Sequence, residues 1–532
     1  MIAIRLYLDS TPLSNHTRAS AIQAQADIME NVHQILAIAG VFIYWLFLGA
    51  IALRLVIKRR TIGVSFSWIL VIYFLPLVGI IAYILFGESH LGQTRASRSK
   101  AMFKPYGQWF AALYQHPLHT PERQSDHARA ISQLCDTQLG IPSLSGNQLC
   151  LQHTPSSILN SIIQDIDAAK ESIVMEFYIW HPGGLADDVA RAVIKASKRG
   201  VIVKLLLDAA GSRTFFNSPW PTQLRKAGIE ISQALSVSPL RMFFRRLDLR
   251  LHRKIVVIDN HIAYTGSMNL VDPKYFKQGE GVGQWIDVMV RMVGPAVPLV
   301  NTVAAWDWEV ETSERYLPEP PGNPEKPYEL SHEISYELSC EPSGEVRREA
   351  DSLVQVIPSG PGMPEEVIHQ VLLQSLYQAC RKIVITTPYF VPSENLLDAL
   401  VTAAARGVDV NIIIPQKNDS TMVKWASRSF FAELLKAGVK IHRFRGGLLH
   451  TKSVLIDDEH SLIGTVNMDM RSLWLNFELT LAVDDKVFAE ELRVLQQGYI
   501  DNAEQLEYKR WQSRPLYQRV IEHLFYLFSP LL

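Results

Sequence analysis

The feature that most constrains the fold is an internal repeat. Ser172–Asp208 runs SIVMEFYIWHPGGLADDVARAVIKASKRGVIVKLLLD and Lys382–Pro415 runs KIVITTPYFVPSENLLDALVTAAARGVDVNIIIP. Each copy has an apolar β-type run, a turn rich in Pro, Gly or Ser, a helix closing on Arg-Gly, and a second apolar strand. Gly200 and Gly407 suit the left-handed residue that ends a helix. Both copies continue through Lys-Ala-Gly into another strand, Lys226–Ile231 and Lys436–Ile441. Strands that are apolar throughout and joined by helices belong in a parallel sheet covered on both faces. The expected architecture is α/β, two fused units related by a pseudo-dyad, and 532 residues leave room for a further segment.

Each copy then delivers the same short motif. The first is His252-Arg-Lys254-Ile-Val-Val-Ile-Asp259, followed after six residues by Gly266-Ser267-Met268-Asn269. The second is His450-Thr-Lys452-Ser-Val-Leu-Ile-Asp457, followed after six residues by Gly464-Thr465-Val466-Asn467. In extended chain, His and Lys two positions apart point to one face. A single His-x-Lys on a strand edge is most simply a solvated pair. Duplication in the same register argues instead for one active site built from both copies.

The residue types suit phosphodiester chemistry. Lys254, Lys452, Asn269 and Asn467 supply charge and hydrogen bonds for the non-bridging oxygens. Of two imidazoles, one attacks phosphorus to give a phosphohistidine and the other protonates the leaving alcohol. The second then takes the proton of the incoming hydroxyl, so the cycle needs no metal and no cofactor. A nucleophilic imidazole must be neutral and held in one tautomer by a carboxylate on its other nitrogen. Asp287 (in QWIDVMV) and Glu478 (in LNFELTL) stand in strand-like runs 35 residues after His252 and 28 after His450, and are the expected orienters. Asp259 and Asp457 end apolar strands and are expected to hold the frame or to act from behind the site.

Two apolar stretches precede the repeat. Ile35–Leu53 has 19 residues without a charge, and Thr61–Gly87 has 27. Each is long enough to cross about 30 Å of hydrocarbon as a helix, and Lys58, Arg59 and Arg60 lie in the short turn between them. A transmembrane hairpin is expected, with the chain before and after it on one side. Basic residues flank the second stretch as well, so the positive-inside count is close to even. Cys135, Cys150, Cys340 and Cys380 are scattered and are expected to be buried free thiols, which favours a cytoplasmic catalytic body. The expected layout is an N-terminal extension (1–33), a transmembrane hairpin (34–87, spans near 35–57 and 62–86), a juxtamembrane connector (88–145), a first unit (146–310), a Pro/Glu-rich linker (311–351) and a second unit with an apolar tail (352–532).

A formal net charge of −1 gives no basic excess for holding a polynucleotide. Arg241, Arg245, Arg246 and Arg250 alternate with Phe243, Phe244 and Leu247 just before His252. That segment suits an anionic bilayer surface or an ordinary solvated helix equally. The apolar tail from Val520 to Leu532 is expected to pack on the body or to enter the interface.

The double H-x-K-x4-D with a trailing G-[ST]-x-N resembles the phospholipase D superfamily. The strings LPLVGIIAYILFGE, HRKIVVIDNHIAYTGSMNLVDPKYFKQ and GGLLHTKSVLIDDEHSLIGTVNMDMRSLWLNFE resemble the bacterial cardiolipin synthases of its inner-membrane type, from about Met29 to Leu532. The resemblance implies a multi-pass inner-membrane protein that joins two phosphatidylglycerols into cardiolipin and releases glycerol. It also implies that His252, Lys254, Asp259, His450, Lys452 and Asp457 form the active site, with His252 as nucleophile; the residues themselves do not break that symmetry. A phospholipase D hydrolase or another phosphatidyltransferase shares the first half-reaction. A membrane-tethered nuclease lacks support in the charge balance, and intact histidines and lysines argue against an inactive scaffold.

Overall fold

The computed structural model describes residues 15–57, 62–86, 93–236, 248–321, 351–364 and 366–527. The basic turn Lys58–Arg60, the Arg241–Leu247 segment, most of the Pro/Glu-rich linker, Cys340 and the last five residues lie outside them. The chain divides into two compact units, Met1–Glu88 and Ser89–Leu532.

In the first unit, one helix runs unbroken from Asn15 to Ile57, so the described part of the expected N-terminal extension continues directly into the first apolar stretch. Within it, Ala26–Ile51 is long and apolar enough to span a bilayer. The second apolar stretch differs from the expectation. It forms two helices, Ile62–Phe74 and Pro76–Phe86, of 13 and 11 residues, or about 20 and 17 Å. The break falls at Pro76, whose nitrogen has no proton to donate. The chain then folds back sharply enough to bring the rings of Trp68 and Tyr83 within 5.5 Å. Gly79 makes this fold possible: a Cβ there would lie 2.7 Å from the Ile72 backbone. Neither arm is long enough to cross the hydrocarbon. Among the described residues one helix is long and apolar enough to span a bilayer and the second stretch is a folded-back pair of short helices, so the expected multi-pass hairpin is not supported.

The second unit is organised by one sheet. Its first half contributes β1 (Leu144–Gln152), β2 (Ser172–Phe177), β3 (Ile202–Asp208), β4 (Glu230–Ala234), β5 (Lys254–Ile258), β6 (Ile262–Gly266), β7 (Trp285–Ile286) and β8 (Met289–Val293). The second half contributes β9 (Ser352–Ser359), β10 (Lys382–Thr386), β11 (Phe390–Val391), β12 (Asp409–Pro415), β13 (Lys440–Phe444), β14 (Leu448–Leu449), β15 (Ser453–Ile456), β16 (His460–Gly464), β17 (Met468–Asp469), β18 (Glu478–Asp484) and β19 (Ala503–Gln505). Fifteen of these pair in the order β19-β13-β12-β10-β15-β16-β18-β9-β1-β8-β6-β5-β2-β3-β4. Counted outward from the β1–β9 joint, β1-β8-β6-β5-β2-β3-β4 matches β9-β18-β16-β15-β10-β12-β13 strand for strand. The pseudo-dyad therefore passes through the antiparallel β1–β9 pair.

Within the fifteen-stranded sheet, parallel pairing is confined to β2-β3-β4 and β10-β12-β13, the strands joined by helices in the sequence repeat. The other pairs of the large sheet are antiparallel, and of these only β5–β6 and β15–β16 are hairpins closed by short turns. Apolar side chains of both halves, among them Val290, Val300, Val354 and Leu481, meet in one central cluster.

The connector packs against both halves. Tyr106 of its Gln93–Leu113 helix stacks edge-on against Trp306 at 4.8 Å, and Arg95 pairs with Glu311 at 2.8 Å. Its Asp126–Leu139 helix is capped by Ser125, which itself bonds Asp484 of β18. The expected free thiols hold at Cys135, which is buried; Cys380 is free but exposed, and Cys150 is disulfide-bonded. The cysteines thus give no support for a cytoplasmic body.

Candidate active site

Each motif histidine stands just before an antiparallel strand, β5 or β15, at the edge where the parallel strands β2 and β10 end. Phe177 of β2 lies opposite Lys254, and Thr386 of β10 opposite Ser453. The residues before each histidine pair with the other half of the chain. Leu251 bridges Phe477, and Leu448–Leu449 pair with Trp285–Ile286. The His252 amide donates to the Phe477 carbonyl (3.0 Å) and that of His450 to the Ile286 carbonyl (2.8 Å).

This exchange carries the orienting carboxylates across the dyad. His252 Nδ1 is 2.8 Å from Glu478 Oε2, and His450 Nδ1 is 2.6 Å from Asp287 Oδ1. Each of the two expected orienters thus contacts the histidine of the opposite half. The hydroxyl of Ser267 donates to Asp287 Oδ1 at 2.7 Å, and the Asn476 amide donates to Glu478 Oε1 at 3.2 Å. Each lysine ammonium donates to the carbonyl of its own histidine at 2.5 Å.

The pocket is almost closed. His252 is 7% exposed, His450 and Lys452 2%, and Lys254 is fully buried. Burial, reinforced by the lysines, pushes both imidazoles down to about 4 against the opposing pull of their carboxylates. Burial also lowers Lys254 to about 8 and Lys452 to about 7. Burial alone would raise Glu478 and Asp287, but histidine and lysine neighbours outweigh it and hold both below the usual carboxylate range. Near neutral pH the histidines are neutral with Nδ1–H donated to a carboxylate, and each Nε2 carries a free lone pair. That is the state required of a nucleophile.

Asn269 and Asn467 are buried beside the pocket. Asn269 Oδ1 accepts the Ile179 amide at 3.2 Å, and Asn467 Oδ1 has no hydrogen-bond partner among the described residues. The two motif aspartates lie elsewhere. Asp259 and Asp457 stand five residues beyond their lysines, about 17 Å along an extended strand. Each opens a hairpin turn with two successive residues at positive φ, 53° and 51° for Asp259 and Asn260, 55° and 56° for Asp457 and Asp458. Asp259 accepts the amides of Lys170, Glu171 and Ser172, and Asp457 those of Cys380, Arg381 and Lys382, all at 2.7–2.9 Å. They pin the starts of β2 and β10 and do not enter the pocket.

Three residues near the chemistry carry no signal in the motif. Trp285 packs at a tilt on His450 at 4.3 Å, Tyr178 tilts against His252 at 5.2 Å, and Arg253 is fully buried between the motif residues. Trp285 was accessible only as the residue two before Asp287, pointing to the same face.

A cardiolipin synthase, phospholipase D-like domain model matches residues 162–282 and 372–497, and a phospholipase D-nuclease N-terminal model matches 48–88. Cardiolipin synthase A of Yersinia pseudotuberculosis is 51% identical over 504 residues, covering 95% of this chain and all of the relative. The chain belongs to the cardiolipin synthase family of the phospholipase D superfamily. The Serratia proteamaculans cardiolipin synthase A matches to the same extent. The solved structure of a phosphatidylserine synthase from Haemophilus influenzae covers 76% of this chain and 98% of its own, with a TM-score of 0.54 and 17% identity, and shares the fold. By family the chain is a phosphatidyltransferase, with an N-terminal membrane segment that suits the inner membrane.

Proposed function

We propose that the chain transfers a phosphatidyl group from one phosphatidylglycerol to a second, giving cardiolipin and glycerol through a phosphohistidine. The observation that carries this reading is the exchanged pair of histidine–carboxylate contacts, flanked by two buried lysines in one pocket. Nε2 of His252 attacks phosphorus, and the bond to the first glycerol oxygen breaks as that oxygen takes a proton from Nε2 of His450. The anionic phosphodiester raises the proton affinity of His450 by proximity, which lets a histidine that is neutral in the empty site act as acid. His450 then accepts the proton of the second lipid's terminal hydroxyl, whose oxygen attacks phosphorus and expels His252. Lys254 and Lys452, with Asn269 and Asn467, hold the phosphate oxygens; Glu478 and Asp287 fix the imidazoles; Asp259 and Asp457 keep the strands in register. Water as acceptor would turn the same first step into hydrolysis, and the nearly closed pocket supports the lipid acceptor instead. We assign the two catalytic halves to residues 146–310 and 352–532.

The full chain reconstituted in vesicles of labelled phosphatidylglycerol, without added metal or nucleotide, is expected to yield cardiolipin and free glycerol in equal amounts. Phosphatidic acid as the sole lipid product would overturn the transfer reading. DNA cleavage without lipid turnover would replace it with a nuclease.

A further inference from the structure

The helix Leu516–Tyr526 lies against the Thr421–Ala437 helix of the second half, with Glu522 buried and paired to Arg428 and Arg514 at 2.8 and 2.7 Å. Its other face is bare. Leu516, Tyr517, Val520, Leu524 and Leu527 are 51–73% exposed, and at 100° per residue they fall in one stripe about 100° wide. Exposed apolar residues aligned in this way are unusual on a surface that meets only water.

Cations crowd the start of this helix. Arg443, Arg445 and Arg510 share the single carboxylate of Glu504, as Arg428 and Arg514 share Glu522. Lys424 stands beside them at the mouth of a cavity of about 260 Å³, also lined by Phe390, Gln416, Asn418 and Trp511. Arg428 and Arg514 are held largely buried by Glu522, whereas Arg445, Arg510 and Lys424 are exposed; Glu394 and Glu433 lie toward the other end, near Tyr526.

The cavity opens at the carboxyl ends of β10 and β12, the same sheet edge that carries Lys452. Contacts run to the site from Tyr389 and Asp419, the chain neighbours of its lining residues Phe390 and Asn418: the Tyr389 hydroxyl donates to Asp419 at 2.8 Å, Asp419 pairs with Lys277 at 3.3 Å, Lys277 sits over Trp285 at 5.4 Å, and Trp285 packs at a tilt on His450.

We propose that this face is a second membrane-contact surface, which seats the carboxyl edge of the second half on an anionic bilayer. The apolar stripe enters the boundary between headgroups and acyl chains, and the exposed Arg445, Arg510 and Lys424 meet lipid phosphates. The charge complementarity singles out a bilayer over an apolar protein partner. The inference rests on the transfer reading for its purpose, since an edge seated on lipid delivers headgroups to His252 and His450.

The test uses the full chain reconstituted in vesicles, with an environment-sensitive fluorophore on Leu524→Cys in a Cys380→Ser background. In phosphatidylglycerol vesicles the emission is expected to shift to the blue and to be quenched by brominated acyl chains, with both effects lost in phosphatidylcholine. Unchanged emission in the two lipids would overturn the proposal. So would energy transfer between labelled chains that rises with protein density, which would mean a second copy covers the stripe, or a shift produced by inorganic phosphate in detergent. Val520→Asp/Leu524→Asp is expected to raise the KM for bilayer phosphatidylglycerol about 10-fold, leaving turnover of a monomeric short-chain lipid unchanged. Wild-type chain that turns over neither lipid would count against the transfer reading, while the fluorescence still decides the docking.

Discussion

Behind the two histidine–lysine strands the halves of the catalytic body use different chemistry on the same backbone. In the first half, Asp307 of the Val297–Thr312 helix pairs with Arg253, and burial and the nearby Asp307 push the carboxyl of Glu176 well above its usual range. In the second, Gln496 holds the same place in the Lys486–Asp501 helix and donates to Ser453, Thr386 and the Val384 carbonyl at 3.1–3.3 Å. Glu176 and Thr386 are equivalent in register, opposite Ile255 and Ser453. One support is charged and the other neutral. Arg253 also donates Nε to the Glu478 carbonyl at 2.9 Å and a second nitrogen to the Ser359 carbonyl at 3.2 Å. The charged support therefore ties β5 to the strand that carries the orienter of His252. The fold is pseudo-symmetric, but the charges behind the two histidine–lysine strands are not.

The largest effects test whether the histidines are interchangeable. His252→Ala and His450→Ala are each expected to lower kcat by at least about 10⁴-fold. Only His450→Ala should still form a trapped phosphohistidine, seen by labelling quenched in alkaline detergent with an activated-headgroup lipid. Equal trapping in both variants would make the halves equivalent. Next, Glu478→Gln and Asp287→Asn should each cost about 100-fold or more, with the labelling defect following Glu478→Gln because that carboxylate serves His252.

Arg253→Met strands Asp307 and is expected to cost about 3–5 kcal/mol in thermal or denaturant unfolding. Gln496→Met removes only neutral hydrogen bonds and should cost about 1–3 kcal/mol. A larger loss at Gln496 would reverse the comparison. The pH profile gives a finer test. The imidazoles are neutral above about 4 and the lysines lose charge through about 7 for Lys452 and 8 for Lys254. Accordingly kcat/KM should rise through the acid limb and fall above neutrality, with Lys452→Arg postponing the start of the fall because arginine stays charged. Smallest of all, Asp259→Asn and Asp457→Asn should each lower stability by about 1–2 kcal/mol and leave turnover per folded molecule unchanged.

Much of this arrangement is legible in the sequence. The repeat announced matching strand orders because helix-linked apolar strands leave few topologies, and the paired motifs named the histidines and lysines. What stayed hidden was long-range. Glu478 lies 226 residues from His252, and Asp287 lies 163 from His450; only docking of the halves shows that the orienters are exchanged. Arg253 between a histidine and a lysine looked like one more polar strand residue, because its partners Asp307 and Ser359 come from other elements. The fold-back at Pro76 was masked by an apolar run long enough for a span, since hydropathy records length and not direction.

The exchange of carboxylates makes the catalytic body dividable in a measurable way. Each half carries a histidine whose partner belongs to the other, so a chain cut within the linker between Thr312 and Asp351 leaves two pieces that are both inert alone. Turnover would return only as the pieces dock through the β1–β9 joint, and its appearance over time would report the rate of that docking.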